Sequence, residues 1–286
     1  MNLMHYFRAF YGIVWRELLR FFQQRERFFA ALVRPLIWLI IFAAGFRAAL
    51  GISIIPPYET YITYDVYITP GLLAMIQLFQ GMQSSLSMVY DREMGAMRVL
   101  LTTPLPRWFL LVSRLFAGVI VSLFQVYTFL LVAYFCGVEL PPLGYLTALP
   151  ALVLSGMMFG ALGMLLSSTI KQLENFAGIM NFVIFPMFFA SSALYPLWKM
   201  REGSLWLYYI CLYNPFTWAV ELIRFALYLQ INWEALCIVA GCTTRKDHHM
   251  DLCVWKYRSD LSRSFIRQRR PVDCRLESDR SSHRRH

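Results

Sequence analysis

The chain has 286 residues, of which 58% are hydrophobic and only 15% are charged. Soluble domains carry about 25% charged residues, so this chain cannot cover a water-exposed surface with polar side chains. Its length leaves room for roughly six transmembrane helices of ~20 residues with their connections. The formal net charge of +10 indicates contact with an anionic membrane surface rather than with nucleic acid.

The polar residues that could carry chemistry are sparse and scattered. None of the six cysteines forms a CxxC pair, and His248, His249 and Cys253 do not have the spacing of a zinc site. The apolar segments hold almost no acidic residue, and His5 is the only histidine before His248. We therefore predict no metal site, no bound cofactor and no catalytic residue, and we do not expect an enzyme.

Residues 1–28 are predicted to form an amphipathic helix at a membrane interface. Phe7 and Phe10 begin an apolar series at helical spacing, and arginines collect on the opposite face. Residues 29–242 are predicted to form the transmembrane domain. The last segment, 243–286, is rich in Arg and Ser with no sustained apolar period, and is predicted to be disordered.

Five apolar segments are long enough to cross a bilayer. They are residues 29–50, 66–90, 109–136, 145–170 and 175–197. Arg34 and Pro35 are expected at the cytoplasmic edge of the first segment, and Arg114 is close enough to the start of the third to reach the cytoplasm. A sixth apolar segment, 233–242, has only ten residues and covers about half of the hydrocarbon core.

Two spans carry a face of distinctive residues. In the second span the polar residues fall near one face: Gln77, Gln80, Ser84 and Ser87. In lipid such a face must contact protein or line a water-filled path, so helix–helix hydrogen bonding and a translocation path both remain open. In the fourth span a stripe of small residues predicts close approach of another helix: Gly156, Gly160, Gly163 and Ser167.

Residues 198–232 are rich in Trp and Tyr, which are typical of a membrane–water interface. They predict two short amphipathic or re-entrant helices on the outer face. Glu221 and Arg224 are three residues apart in this region, a spacing at which two side chains meet on a helix. We expect this pair to be structural.

Basic residues are concentrated in alternate connections. The N-terminal segment and residues 91–108 and 171–174 contain Lys or Arg, whereas residues 51–66 and 137–144 contain none. Positively charged connections stay in the cytoplasm. The N-terminus and the 91–108 connection are therefore predicted to be cytoplasmic.

Two motifs carry a resemblance to a known family. The 91–106 sequence DREMGAMRVLLTTPLP resembles the cytoplasmic signature between the second and third spans of ABC-2 type transport permeases. ALYPLW at 193–198, NPFT at 214–217 and Arg224 resemble the outer end of the fifth span and the external helices of the same family. The external-helix residues of this match are Tyr195, Pro196, Asn214, Pro215, Glu221 and Arg224. The resemblance covers about residues 5–240 and is strongest to nodulation-type lipo-oligosaccharide and polysaccharide export permeases.

The resemblance implies an all-α polytopic protein, a helical bundle of about six spans in which the sixth is incomplete. It implies a multi-pass protein of the plasma (inner) membrane, paired with a second permease copy as a homodimer or heterodimer. It also implies a cytoplasmic ABC ATPase as partner and export of an amphipathic, glycan-linked or lipid-linked substrate. The chain has no GxxxxGK[ST] phosphate loop, so ATP is expected to be used by the partner subunit.

The connection after the second span is the expected contact with that ATPase. Met94, Met97 and Leu101 at i, i+3 and i+7 predict a short amphipathic helix with an adaptable thioether face. We name residues 92–104 the coupling segment. Its predicted contact residues are Arg92, Glu93, Met94, Gly95, Met97, Arg98, Leu101, Thr103 and Pro104.

Two other functions remain open at this stage. A membrane-embedded lipid or glycan transferase would need clustered Asp, Glu or His at a membrane face. A degenerate, non-transporting homologue is consistent with the short sixth segment. The sequence after Gly241 reflects either a reading-frame change or a natural truncation with a new tail.

Overall fold

The computed structural model describes residues 3–46, 63–94, 106–138, 140–170 and 173–243. Within these ranges the chain forms ten helices and no strand, which confirms the predicted all-α fold. The helices are α1 (Leu3–Gln23), α2 (Arg25–Phe46), α3 (Tyr64–Glu93), α4 (Arg107–Phe135), α5 (Gly144–Thr169), α6 (Leu173–Phe189), α7 (Leu197–Gly203), α8 (Leu205–Tyr213), α9 (Pro215–Leu227) and α10 (Trp233–Thr243).

Two of these helices are long and apolar enough to cross a membrane by length and composition alone. They are α4, from Trp108 to Phe135, and α5, from Gly144 to Thr169. Shorter apolar stretches occur in three others: Phe28–Phe42 of α2, Gly178–Phe189 of α6 and all of α10. The 30 residues of α3 are less apolar, but at 1.5 Å each they extend for about 45 Å, more than the hydrocarbon core.

Helix α3 lies at the centre of the bundle, in contact with α2, α4, α5, α6 and α9. Every residue from 66 to 82 is buried. Polar side chains on a helix in lipid need protein partners. The least apolar of the three longest helices therefore occupies the position where the other helices supply those partners.

Close approach of α5 to α3 depends on glycine. A Cβ at Gly163 would lie 2.7 Å from the carbonyl oxygen of Gly81, and a Cβ at Gly81 would lie 2.9 Å from the backbone of Phe159. Neither backbone could accommodate a side chain at these distances. The small-residue stripe of the fourth span thus contacts α3, as its spacing predicts.

Helix α1 runs beside the first half of α4. Ring contacts join the two helices at Tyr6–Phe109, at 5.1 Å between centroids, and at Phe22–Phe124, at 5.2 Å. The predicted N-terminal helix is therefore present, but it ends at Gln23, and α2 begins two residues later.

Three further expectations differ from the observed elements. Arg34 does not lie near the start of its helix, because α2 begins nine residues earlier, at Arg25. Helix α6 ends at Phe189 instead of continuing to residue 197, because the chain turns through residues 190–195. Three short helices follow, where two were expected, because Ser204 and Asn214 interrupt the helical run. The predicted disordered tail lies outside the described residues from 244 onward.

Candidate coupling and translocation sites

Polar side chains join α3 to its neighbours near the middle of the bundle. Gln77 donates from Nε2 to the carbonyl oxygen of Leu152 at 2.6 Å and accepts from the Ser155 hydroxyl at 2.5 Å. Gln125 donates from Nε2 to Oε1 of Gln80 at 3.3 Å. We call Gln77, Gln80, Gln125 and Ser155 the middle layer. Of the two interpretations left open for the polar face, the monomer uses helix–helix hydrogen bonding at Gln77 and Gln80.

The other two residues of the polar face are only half-buried. The Ser87 hydroxyl donates to the carbonyl oxygen of Ser84 at 2.7 Å, within its own helix. Ser84 lines a small cavity between α3, α4 and α5, together with Gln77, Arg114 and Ser122. This cavity connects the middle layer with the end of the bundle at which α3 stops.

A second, partly open cavity lies between α2, α3 and α4. The Arg34 guanidinium lies over the ring of Phe79, 4.2 Å from its centroid. Three carboxamide side chains line the same cavity: Gln80, Gln83 and Gln125. Since Phe79 is halfway along α3, this arginine lies midway between the two ends of the bundle.

A buried ion pair links the two helices that flank the coupling segment. Nη2 of Arg114 contacts Oδ2 of Asp91, and these residues are only 8% and 6% exposed. Arg114 is therefore held inside the bundle instead of extending outward as expected. The sequence analysis did not predict this pair. Asp91 lies close to the end of α3 and Arg114 lies within three turns of the start of α4, so the two residues lie on either side of the same connection, and this placement could have indicated the pair. We call this region the Asp91 end.

The coupling segment itself is described only in part. The backbone of α3 includes Arg92 and Glu93, so these residues extend the central helix instead of starting a separate one. Met94 follows and is 67% exposed. The remaining predicted contact residues lie outside the described residues: Gly95, Met97, Arg98, Leu101, Thr103 and Pro104.

At the opposite end of the bundle, Arg224 of α9 is held by three groups. Nη1 donates to Oε1 of Glu221 at 2.6 Å, and Nη2 donates to the carbonyl oxygen of Ser192 at 3.0 Å. The guanidinium also lies 4.2 Å from the ring centroid of Tyr67. We call this region the Arg224 end. The predicted pair of Glu221 and Arg224 is present and also fixes the turn that follows α6.

Asn214 and its neighbours complete the Arg224 end. The Asn214 Nδ2 group donates to the carbonyl oxygens of Met187 and Ala190, at 2.7 and 2.6 Å. Its Oδ1 accepts from the backbone N–H of Phe216 at 3.0 Å and so caps α9, in which Pro215 is the first residue. Pro196 is buried just before α7, and Tyr195 beside it is half-buried. The external motif thus fastens short helices to the end of α6.

Within the described residues, no three His, Cys, Asp or Glu side chains come together where they could hold a metal ion. Both arginine pairs are separate from each other and from the middle layer. The bundle thus contains hydrogen-bonding side chains in its apolar interior, and at one end an ion pair between Asp91 and Arg114 joins α3 to α4.

Named relatives resemble the chain over most of its length. It is 32% identical over 212 residues to the transport permease ycf38 of Cyanophora paradoxa, which covers 71% of this chain and 68% of that relative. It is 28% identical over 226 residues to the ycf38 transport permease of Pyropia yezoensis, covering 78% and 75%. With the multidrug ABC transporter permease YbhR of Escherichia coli (strain K12) it shares 27% identity over 187 residues, covering 63% and 49%.

Residues 8–228 match the ABC-2 type transporter family. The matched region extends from α1 to just beyond the end of α9, and so includes the middle layer, both arginine pairs and the coupling segment. The chain therefore belongs to the ABC-2 type transporter family and is a membrane permease subunit of an ABC transporter.

Proposed function

We propose that this chain exports an amphipathic, glycan-linked or lipid-linked substrate, together with a second permease copy and a separate cytoplasmic ATPase. The observation that carries the proposal is the central position of α3. Its middle holds hydrogen-bonding groups, and its far end is tied to α4 by Asp91 and Arg114. A helix that reaches from the polar interior to the coupling segment can transmit a displacement along its length.

The polar residues of α3 are proposed to line the path when the bundle opens. Gln77 and Gln80 form hydrogen bonds with other helices of the monomer, whereas Ser84 and Ser87 are half-buried and Ser84 lines a cavity. Hydrogen-bonding groups inside a membrane bundle are costly unless they find partners. A substrate with polar groups can take the place of those partners as it passes.

The membrane orientation is part of this proposal. The Asp91 end is placed in the cytoplasm of the plasma (inner) membrane, with the N-terminus, and the Arg224 end is placed outside. The support is the excess of Lys and Arg in the N-terminal, 91–108 and 171–174 segments. In this orientation the coupling segment faces the compartment where ATP and an ATPase subunit are available.

Substrate class is supported only by resemblance. The strongest family resemblance in the sequence is to export permeases for lipo-oligosaccharides and polysaccharides, whereas one relative is named as a multidrug permease. A lipo-oligosaccharide, or a polysaccharide attached to a lipid, is amphipathic. Such a substrate also suits a path that joins carboxamide and hydroxyl groups to an apolar surface.

Co-expression with candidate ABC ATPase subunits from the same genome tests the function. The full chain should co-purify with one of them, and the complex in proteoliposomes should hydrolyse ATP and move a labelled lipo-oligosaccharide. A matched control replaces the phosphate-loop lysine of the ATPase, which should abolish hydrolysis without preventing assembly. Stoichiometric ATP binding by the chain alone, or transport that persists with the lysine variant, would contradict the proposal.

A non-transporting homologue is the second candidate, and the sequence after Trp233 favours it. The apolar run 233–242 has ten residues, which as a helix would cover about half of the hydrocarbon core. If the chain assembles with its ATPase but stimulates neither hydrolysis nor transport, this second function is the correct one.

A further inference from the structure

We propose that the cavity between α2, α3 and α4 binds the anionic head group of the amphipathic substrate, with Arg34 as its counter-charge. The head group carries a phosphate or a carboxylate. This inference rests on the proposed transport function for its choice of an amphipathic ligand. The cavity is partly open at the surface of the bundle and lies beside the Arg34 guanidinium.

Arg34 is a cation inside an apolar stretch, Phe28–Phe42 of α2. Among the described residues, Arg34 forms no hydrogen bond and no ion pair. Its guanidinium makes a cation–π contact with the ring of Phe79. A ring face attracts a cation, but it leaves every N–H of the guanidinium without an acceptor. Charged residues in such positions are rare and mark ligand or ion pathways.

The groups around Arg34 suit an anion. Gln80, Gln83 and Gln125 line the cavity with carboxamides, which are neutral and can donate N–H groups to an oxyanion. The Oε1 atom of Gln80 already accepts from Gln125, so the pair is oriented before a ligand arrives. The planar guanidinium can then bind two oxygens of one phosphate or carboxylate.

The other arginines of the bundle show what is missing here. Arg114 has Asp91 and Arg224 has Glu221. Arg34 is also more exposed than either of these two. Of these three arginines, Arg34 is thus the one that lies beside a cavity without a carboxylate partner.

On a second copy of the chain, the acidic residues of α1, α2 and α3 are not placed to pair with Arg34. In a two-fold dimer with its axis along the bundle, each residue stays at its own level. Glu26, Asp65 and Asp91 lie within two residues of a helix end, whereas Arg34 is level with the midpoint of α3. Glu17 of α1 is already engaged by Arg16 and Arg20.

The ligand site can be tested on the full chain alone, purified in dodecyl maltoside. The probes are a fluorescent short-chain phosphatidic acid and the matched uncharged diacylglycerol. We expect the wild-type chain to bind the anionic probe at least tenfold more tightly, and Arg34→Gln to reduce that preference below twofold. Arg34→Lys should retain part of it, because the charge remains without the planar fork.

Arg201→Gln is the matched control, since Arg201 is exposed on α7 and lies far from the cavity. It should leave the preference unchanged. If Arg34→Gln does not elute as a single species, Gln80→Leu decides the matter: it should weaken binding of the anionic probe about threefold and leave the neutral probe unaffected.

Three results would overturn the proposal. An unchanged preference in Arg34→Gln would remove the role of the guanidinium. Displacement of the anionic probe by 10 mM inorganic phosphate, as readily as by unlabelled phosphatidic acid, would show that the site takes a free anion. Loss of dimers in Arg34→Gln with intact probe binding would assign Arg34 to the interface between copies.

The outcome is separable from that of the transport function, because the binding assay contains no ATPase and no ATP. A chain that assembles with an ATPase and transports, but binds both probes equally, refutes only the head-group site. A chain that binds the anionic probe through Arg34 but assembles with no ATPase refutes only the transport function.

Discussion

The two ends of the bundle each hold a buried arginine that is paired with a carboxylate, yet the pairs differ in construction. At the Arg224 end, the arginine contacts Glu221 on its own helix, the backbone of Ser192 and the ring of Tyr67. At the Asp91 end, Arg114 contacts Asp91 across two helices.

This difference separates a fixed region from one that can move. Several contacts with different partners must break together before Arg224 can leave its position, so the turn after α6 is locked. At the Asp91 end, the polar link between α3 and α4 is a single ion pair. A buried pair of this kind is weak evidence for stability but a suitable element for a switch. The comparison therefore predicts that damage at the Arg224 end affects folding, whereas damage at the Asp91 end affects transport.

Arg224→Ala should have the largest effect on stability. It leaves Glu221 without a cation and the carbonyl of Ser192 without a donor, and breaking a buried pair on one side costs about 3–5 kcal/mol. Thermal unfolding of the detergent-purified chain measures the loss. Arg201→Ala, at an exposed position on α7, is the control and should change stability by less than about 0.5 kcal/mol. Equal unfolding temperatures for the two variants would show that the contacts of Arg224 do not hold the turn after α6 in place.

Asp91→Asn should have a smaller effect on stability and a larger one on transport. The amide keeps an acceptor for Arg114 but removes its counter-charge, so we expect a loss of about 1–3 kcal/mol. Because the link between α3 and α4 is weakened, ATP-driven transport per assembled complex should fall at least tenfold. Transport assays in proteoliposomes, normalised to assembled complex, provide the measurement. Full transport activity in Asp91→Asn would remove the coupling role of this end.

Gly163→Ala tests whether the helices between the two ends pack as a rigid unit. The added methyl would lie 2.5 Å from the Ser85 hydroxyl and 2.7 Å from the Gly81 carbonyl oxygen. We expect a loss of about 1 kcal/mol, the lower end of the cost of overpacking. Gly178→Ala on α6, with nothing within 4 Å, is the matched control and should be neutral or slightly stabilising. Identical unfolding curves would mean that α3 and α5 separate easily.

The double variant Glu93→Ala, Leu101→Ala should have the smallest effect on stability, within about 0.5 kcal/mol, because both positions lie in the proposed surface contact. Export and ATPase association should nevertheless fall together. Co-purification and transport assays check this, with Glu202→Ala, exposed at the other end, as control. A variant with normal association and export would place the ATPase contact elsewhere.

The sequence was most informative where one physical property repeats along the chain. The predicted span 109–136 matches α4, Arg107–Phe135, because an uninterrupted apolar run of that length has few alternatives to a membrane helix. The glycine spacing of the fourth span predicted a close helix contact, because small residues repeated on one face let another helix approach. The predicted helix boundaries were wrong near residues 190–215. There, helices end at Ser204 and Asn214 because of local hydrogen bonds and backbone angles, which composition does not reveal.

In the candidate sites, contacts between residues close in the sequence could be predicted, whereas contacts between distant residues could not. Glu221 and Arg224 could be paired from sequence because i, i+3 spacing on a helix brings side chains together. Gln77 was identified as a polar residue that needs a partner, but its partner Leu152 is 75 residues away. Nothing local specifies which helix supplies it.

By itself, the sequence determined the all-α membrane fold, the family and the residues that cannot face lipid, since these follow from hydropathy, helical period and local motifs. Only the tertiary structure decided that α3 is central, that Arg114 pairs with Asp91 and that Arg34 lies over Phe79 without an acid. Each of these depends on how helices distant in the chain pack against one another. That packing is set by the combined fit of side chains from several helices, which no single segment encodes.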